Sequence, residues 1–258
     1  MSLTLSPALA GSPFADAAAL PLRPPETVRS FGTTLVVAPH PDDESLGCGG
    51  AIGLLRRYGQ HVHVVFVSDG VLSHPHSRRY PAARLRALRE DEARGALDVL
   101  GVPRARVSFL RLPDRGVPLE DAPGFADAVA RLRAMVEKTA PATVLTPWRR
   151  DPHPDHRATS ALVAAVLEGH GGMRVLEYPI WLWLLAEDGD APRPSDAMTP
   201  WRLDITPLLE RKQEAIATHR SQTTDLIDDD PDGFRLEPEM LDHFAHPWEI
   251  YLERGEGR

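Results

Sequence analysis

The stretch from residue 34 to 44 is Thr34-Leu35-Val36-Val37-Ala38-Pro39-His40-Pro41-Asp42-Asp43-Glu44. Its first four residues form an apolar run of the kind that predicts a buried strand. A histidine and adjacent acids follow, and then a glycine-rich turn at 47–50. These polar residues therefore come just after the carboxyl end of a strand, which is where open α/β sheets bind their ligands.

A second polar cluster, Asp151-Pro152-His153-Pro154-Asp155-His156, follows another apolar run at 143–146. Either cluster alone could be a turn in which an Asp caps the next helix. Two clusters at two strand ends, however, would meet at one edge of a parallel sheet. Because His and Asp side chains suit a catalytic metal such as zinc, the pair predicts a metal site at that edge.

The composition limits the class of protein. The chain has 258 residues, 42% hydrophobic and 26% charged, which is enough for one large α/β domain. The net charge of −8 disfavours nucleic acid as a partner. The single cysteine, Cys48, excludes an intrachain disulfide. Without an apolar stretch of roughly 18 to 20 residues or a signal-peptide pattern, we expect no membrane span and a cytoplasmic location.

From residue 33 the chain alternates between strand-like and helix-like segments. We predict strands near 33–38, 61–68, 106–112, 142–146, 174–180 and 201–205, and helices near 48–58, 82–100, 122–139, 157–168 and 207–219. This order predicts a single-domain, Rossmann-like, three-layer α/β/α fold with a mostly parallel sheet and the active site at the C-terminal strand edge.

The two ends of the chain carry weaker signals. We expect residues 1–30 to form a leader that packs on the domain, which would comprise residues 31–258. Residues 243–251 are expected to form an edge strand. The acidic run at 228–233 lacks the spaced ligands of an EF-hand, which favours an acidic surface turn over a calcium site.

A catalytic zinc site uses three protein ligands and a water. His40, Asp43 and His156 offer two imidazoles and one carboxylate. Asp42 and Asp43 are neighbours in a tight turn and point in different directions, so one of them can bind metal while the other acts as general base toward the bound water. These residue types are sufficient to hydrolyse an amide or an ester.

The second cluster offers two further groups. A protonated His153 could stabilise an oxyanion opposite the base. The carboxylate of Asp155 could keep that imidazole oriented and charged.

Together the clusters resemble the LmbE/PIG-L-like family of zinc-dependent N-deacetylases. The family motif PHPDDE matches residues 39–44, its motif HPDH matches 153–156, and the resemblance extends over about 33–222. It implies removal of the N-acetyl group from an N-acetylglucosamine-containing small molecule or glycoconjugate. Zinc is the implied metal, although Fe²⁺ or Co²⁺ would also accept two histidines and an aspartate.

The resemblance also implies a role for individual residues. The implied roles are zinc ligation by His40, Asp43 and His156; general base and acid catalysis by Asp42; oxyanion stabilisation by His153 with Asp155 as its partner; and substrate contacts by Arg89, Asp114 and Tyr178. The family signature from Lys212 to Gln222 is expected mainly to support the fold and pocket.

Other functions remain open at this stage. A zinc amidase or acyl hydrolase that cleaves a thiol conjugate or other amide would use the same residues. A sugar-binding protein without catalysis would need neither Asp42 nor His153. A nucleotide-binding protein is disfavoured, because the acids beside His40 would repel phosphate. The sequence leaves the oligomeric state open, a homo-oligomer included.

Overall fold

The computed structural model describes residues 6–168 and 172–254. Its centre is one eight-stranded sheet with the order β1-β7-β8-β6-β5-β2-β3-β4. The strands are β1 Leu22–Arg23, β2 Thr34–Ala38, β3 Val62–Ser68, β4 Val107–Leu112, β5 Thr143–Pro147, β6 Arg174–Tyr178, β7 Met198–Asp204 and β8 Trp248–Arg254. Every pairing is parallel except those of β8, which runs antiparallel to both of its neighbours.

Helices cover both faces of this sheet. They are α1 Asp43–Arg57, α2 Ala82–Val99, α3 Phe125–Thr139, α4 Pro154–Leu167, α5 Leu182–Leu185, α6 Leu209–Thr218, α7 Arg220–Thr223 and α8 Pro238–Phe244. Successive residues of β2 therefore pack on opposite faces of the sheet. Val36 packs in the core that includes α1, α2 and α6, whereas Leu35 packs in the core that includes α3 and α4. The predicted three-layer fold with a mostly parallel sheet is confirmed.

Two helices begin earlier than the sequence predicted. Helix α1 starts at Asp43 rather than near 48, and α4 starts at Pro154 rather than near 157. Acidic side chains in the first turn are stabilised by the partial positive charge of a helix N-terminus. The two polar motifs therefore form the first turns of helices, which restricts where their side chains can lie.

The C-terminal strand is the main difference from the predicted topology. The prediction of an edge strand at 243–251 is wrong, because β8 spans Trp248–Arg254 and lies between β6 and β7. Its central residues Ile250, Tyr251 and Leu252 are buried. The strand returns from a connection after α8 and inserts into the sheet, so local sequence carries no signal for its neighbours.

The described part of the N-terminal leader packs on the sheet. Strand β1 pairs with β7, and Leu9 and Phe14 are buried in a cluster with Trp148 and Trp183. The boundary between a leader and a domain at residue 31 stays a prediction. In the described ranges, no helix combines the length and the apolarity that crossing a membrane requires.

One glycine shows how closely α1 packs. A Cβ at Gly50 would lie 2.5 Å from Cγ2 of Ile205, which follows β7. The glycine-rich run in α1 thus lets this helix approach the sheet closely, and it sets the position of the first helical turn.

Candidate metal centre and active site

The two polar clusters meet at the carboxyl edge of the sheet. Strands β2 and β5 are parallel neighbours, with Val36 opposite Leu145. The connection from β2 to α1 carries residues 39–42, and the connection from β5 to α4 carries residues 148–153. Both connections therefore leave the sheet at the same edge, and the predicted convergence is present in the structure.

Asp43 lies between two imidazoles. Its Oδ2 is 3.2 Å from Nδ1 of His40 and 3.1 Å from Nε2 of His156. Both nitrogens of the His156 ring are buried and form no well-directed hydrogen bond with the described residues. A buried polar atom without such a bond needs a physical explanation. A metal ion held by His40, Asp43 and His156 supplies one, so the residues present fit the predicted ligand set.

Two groups of side chains converge closely enough to hold a metal. One comprises His40, His153 and His156, and the other comprises His40, Asp114 and Asp155. In the second group both carboxylates already accept hydrogen bonds from backbone N–H groups. Asp43 also accepts a backbone N–H, from His40 at 2.9 Å, so this feature does not separate the groups. The first group is the better candidate because its His40 and His156 are the two imidazoles that contact Oδ2 of Asp43.

The carboxylate of Asp151 supports His156 from behind. Its Oδ1 is 3.2 Å from Nδ1 of His156, and its Oδ2 accepts hydrogen bonds from the backbone N–H groups of Ile180 and Trp181. Burial lowers the pKa of His156, but the charges of Asp43 and Asp151 outweigh it and raise that pKa to about 9. Sequence reasoning assigned Asp151 no role, although it opens the second cluster.

Asp42 is held in a strained backbone conformation. Its φ is 143°, a value that residues other than glycine rarely adopt and that concentrates at functional sites. Its N–H donates to Oε2 of Glu44 at 2.9 Å, and Oε1 of Glu44 is 2.9 Å from Nε2 of His219. Burial raises the pKa of Asp42 to about 6 despite the opposing charge of Arg89. A carboxylate with such a pKa suits a general base near neutral pH.

Arg89 makes contacts that its predicted role did not include. The sequence-based interpretation gave it a substrate contact, but its Nη2 donates to the carbonyl of Pro41 at 2.7 Å and to Oδ2 of Asp42 at 3.1 Å. Its Nη1 donates to the carbonyl of Gly70 at 2.8 Å. The side chain is buried and these nitrogens are engaged. Arg89 therefore contacts Asp42 directly. Because it also lines the cavity described below, and its buried Nε has no hydrogen-bond partner among the described residues, the predicted substrate contact stays a prediction.

Asp155 has a different partner from the one predicted. Its Oδ2 is 3.1 Å from Nε2 of His40, and the same oxygen accepts the N–H of Arg115 at 2.7 Å. The carboxylate thus contacts His40 rather than the His153 ring in this geometry, and its predicted role as the partner of His153 stays a prediction. Asp155 helps to orient His40.

His153 contacts Asp155 only through the backbone. Its Nδ1 accepts the N–H of Asp155 at 3.2 Å, which leaves Nε2 as the protonated nitrogen of a neutral ring. Burial, followed by the charges of His156 and His40, lowers the pKa of His153 to about 4. The low pKa disfavours the protonated ring that the sequence predicted, and the role of His153 toward an oxyanion stays a prediction.

The other two residues predicted to contact the substrate, Asp114 and Tyr178, differ in their position relative to the cavity. Asp114 lines the cavity described below, and its Oδ2 accepts the N–H of Leu72 at 2.8 Å. Tyr178 does not line it, because the side chain is fully buried and donates to the carbonyl of Val37 at 2.8 Å. Its ring packs against Gly47, where a Cβ would lie 2.5 Å away. The substrate contact predicted for Tyr178 is wrong.

A cavity of about 270 Å³ opens beside these groups. It is lined by His40, Asp42, Asp43, Leu72, Ser73, Arg89, Asp114, Arg115, Pro152, His153, Pro154, Trp181, Leu185, Gln222 and Phe234. A concave site that contains convergent polar groups is the default location for a substrate. Gln222 belongs to the late signature, which sequence reasoning placed near the pocket.

Comparison with known proteins identifies the family. A family model described as PIG-L, GlcNAc-PI de-N-acetylase, matches residues 35–167, which is just over half of the chain. The chain belongs to the PIG-L family. The match contains both clusters, and the predicted family and enzyme class, an N-deacetylase, are thereby confirmed.

Individual relatives of this PIG-L protein are distant. A probable N-acetyl-alpha-D-glucosaminyl L-malate deacetylase 2 from Bacillus cereus is 27% identical over 199 residues, 76% of this chain and 86% of that protein. A 1D-myo-inositol 2-acetamido-2-deoxy-alpha-D-glucopyranoside deacetylase from Rhodococcus jostii is 26% identical over 243 aligned positions, 74% of this chain and 81% of that protein.

Among solved structures, the N,N'-diacetylchitobiose deacetylase of Pyrococcus horikoshii aligns with a TM-score of 0.59 and 25% identity. The alignment covers 78% of this chain and 74% of that chain. The names of the three proteins describe substrates that have different groups attached to the sugar. These names therefore do not determine which attached group the present PIG-L protein accepts.

Proposed function

We propose that this PIG-L protein removes the N-acetyl group from a small molecule that contains N-acetylglucosamine. The observation that carries the proposal is the arrangement of Asp42, a carboxylate outside the ligand set, in the cavity beside His40, Asp43 and His156. The relatives named above support the sugar, since each is described as a deacetylase of an N-acetylated sugar derivative. Nothing specific to the structure favours an amidase for thiol conjugates.

We propose zinc as the metal, held by His40, Asp43 and His156. Two imidazoles and one carboxylate leave a coordination position open for water, as in catalytic zinc sites, although Fe²⁺ or Co²⁺ would also accept these donors. When bound, such a metal polarises the amide carbonyl and lowers the pKa of its water. Asp155 and Asp151 orient the two imidazoles from behind.

Asp42 is the proposed general base and acid. Its carboxylate would accept a proton from the attacking water and later deliver it to the departing amine, so the group is regenerated in each turnover. Arg89 favours the ionised form of Asp42, whereas burial favours the protonated form. This balance keeps the carboxyl able to exchange a proton near neutral pH.

His153 is the proposed oxyanion donor. Because its Nδ1 accepts a backbone N–H, the Nε2–H of the neutral ring is the group available to the carbonyl oxygen as negative charge develops there. Gln222 also lines the cavity, and its buried amide oxygen has no hydrogen-bond partner within the described ranges. We propose that it accepts a hydroxyl of the sugar.

The test is amine release from a panel of N-acetylglucosaminides and of acetylated amides without a sugar. We expect the purified protein to release amine from the sugar derivatives after zinc loading, to lose this activity after chelation, and to regain it when zinc is restored. Release from the non-sugar amides alone would contradict the substrate class. Undiminished release from thoroughly chelated protein would contradict the metal requirement.

A further inference from the structure

The cavity changes in chemical character from its floor to its mouth. The groups around the metal centre are charged or polar, and Asp42, Asp43 and Arg89 are buried. Six apolar side chains line the rest, and all of them are partly or fully exposed: Leu72, Pro152, Pro154, Trp181, Leu185 and Phe234. The polar floor suits a sugar, so a group attached to that sugar would contact the apolar mouth.

The exposure of this mouth is unusual within the protein. Only four large hydrophobic side chains are exposed in the described ranges, and two of them, Leu72 at 40% and Leu185 at 57%, line the cavity. Scattered exposed leucines need no explanation, but exposed apolar side chains that adjoin a catalytic cavity mark a binding surface. Arg115 also lines the cavity and is exposed.

The mouth is also built to keep its shape. The rings of Trp181 and Phe234 pack edge to face, with centroids 5.7 Å apart. The N–H of Trp181 donates to Asp151, the carboxylate that also contacts His156, and the N–H of Phe234 donates to the carbonyl of Ser73 at 2.6 Å. The aromatic surface is therefore fixed relative to the metal centre through short hydrogen-bonded connections.

Acidic side chains hold the loop that carries Leu72. The carboxylate of Asp229 accepts the backbone N–H groups of Arg78 and Arg79 and the hydroxyl of Ser77, and Asp230 accepts the N–H of His76. The acidic run therefore connects two loops through these hydrogen bonds. This junction fixes Phe234 and Leu72 on the same rim.

The size of the cavity indicates what must lie at the mouth. Pockets that enclose a drug-sized ligand usually measure about 300 to 1,000 Å³. A cavity of about 270 Å³ has room for one small unit, so a second unit attached to the sugar has to extend over the exposed rim. We infer that the natural substrate, given the proposed deacetylation, carries an apolar, ring-sized aglycone that packs on Leu72, Trp181, Leu185 and Phe234.

The experiment compares methyl, benzyl and carboxymethyl N-acetylglucosaminides, each as both anomers, with the zinc-loaded protein. We expect kcat/KM for the better benzyl anomer to exceed that of the methyl glycoside by about tenfold, mainly through KM. In Leu185→Ser and Leu72→Ser, the benzyl-to-methyl ratio should fall by about threefold or more. The matched control is Leu22→Ser, since Leu22 is 52% exposed on β1 and does not line the cavity.

Binding is measured in parallel by calorimetric titration, so that the inference does not depend on turnover. Tighter binding of the benzyl than of the methyl glycoside, with this difference reduced in both rim variants, supports the apolar aglycone. This holds even if no glycoside is deacetylated, because absence of deacetylation would refute only the proposed reaction. Equal kinetics and affinities for benzyl and methyl glycosides would overturn the inference. A preference for the carboxymethyl glycoside, or a benzyl preference unchanged in both rim variants, would overturn it as well.

Discussion

Arg89 is expected to set the pKa of the proposed base, and its replacement by Gln tests this directly. The Nη2 atom lies 3.1 Å from Oδ2 of Asp42 in a buried environment. Two unit charges about 4 Å apart at an effective dielectric constant near 20 interact by about 4 kcal/mol, which corresponds to an upper limit of about three pKa units. Rearrangement of neighbouring groups and entry of water would offset part of the lost attraction between the two charges. We therefore expect Arg89→Gln to raise the pKa of Asp42 by about one to three units.

The direction of the change in activity follows from the protonation state of Asp42 that catalysis needs. Asp42 must be ionised to accept a proton, and its pKa of about 6 already lies above that of a free Asp. A further rise moves the acidic limb of the kcat/KM profile to higher pH, so activity near neutral pH falls. A metal ion nearby would lower this pKa in every variant, so the difference between variants is the quantity that matters.

The assay measures kcat/KM for one N-acetylglucosaminide from about pH 5 to 9, as the acidic limb requires. Arg89→Lys is the matched control, because it keeps the positive charge while losing the planar, bidentate geometry. We expect its acidic limb to stay closer to that of the unmodified protein. An acidic limb at the same pH in Arg89→Gln, or an equal displacement in both variants with intact folding, would refute the electrostatic role.

Two further predictions concern Asp151, which contacts a proposed metal ligand, and Gly50, which lets α1 pack closely. Asp151→Asn should weaken zinc affinity by about 10-fold to 100-fold, because the carboxylate orients His156; competition with a chromophoric chelator measures this, and unchanged affinity would contradict it. Gly50→Ala should destabilise the fold by about 1 to 3 kcal/mol, since a Cβ there would lie 2.5 Å from Ile205. Urea unfolding measures the latter, and an unfolding free energy equal to that of the unmodified protein would contradict it.

The convergence of the two clusters was predictable because it follows from strand direction. Runs of buried apolar residues mark β2 and β5, and parallel strands bring their carboxyl ends to one edge. The residue types also predicted a metal site, since two histidines and an aspartate suit a catalytic metal wherever they meet. The sequence therefore predicted where the two clusters meet, whereas the catalytic roles of the individual residues stay predictions.

The partners of individual side chains were not predictable in the same way. Arg89 on α2 and Asp155 on α4 meet their partners through the tertiary arrangement of helices and loops. Spacing along the chain does not indicate which carboxylate faces which ring. The interior position of β8 depends likewise on a long return connection. The apolar rim was missed because Leu72, Leu185 and Phe234 are far apart in sequence and show no shared periodicity.

The central claim is that Asp42 moves the proton while other residues hold the metal. The most direct measurement is zinc content together with turnover in Asp42→Asn, with Asp91→Asn on the exposed face of α2 as the matched control. The account predicts unchanged zinc stoichiometry and a fall in kcat of about 10²-fold to 10⁴-fold for Asp42→Asn, and no change in either for the control. Full turnover in Asp42→Asn with zinc bound would contradict the account.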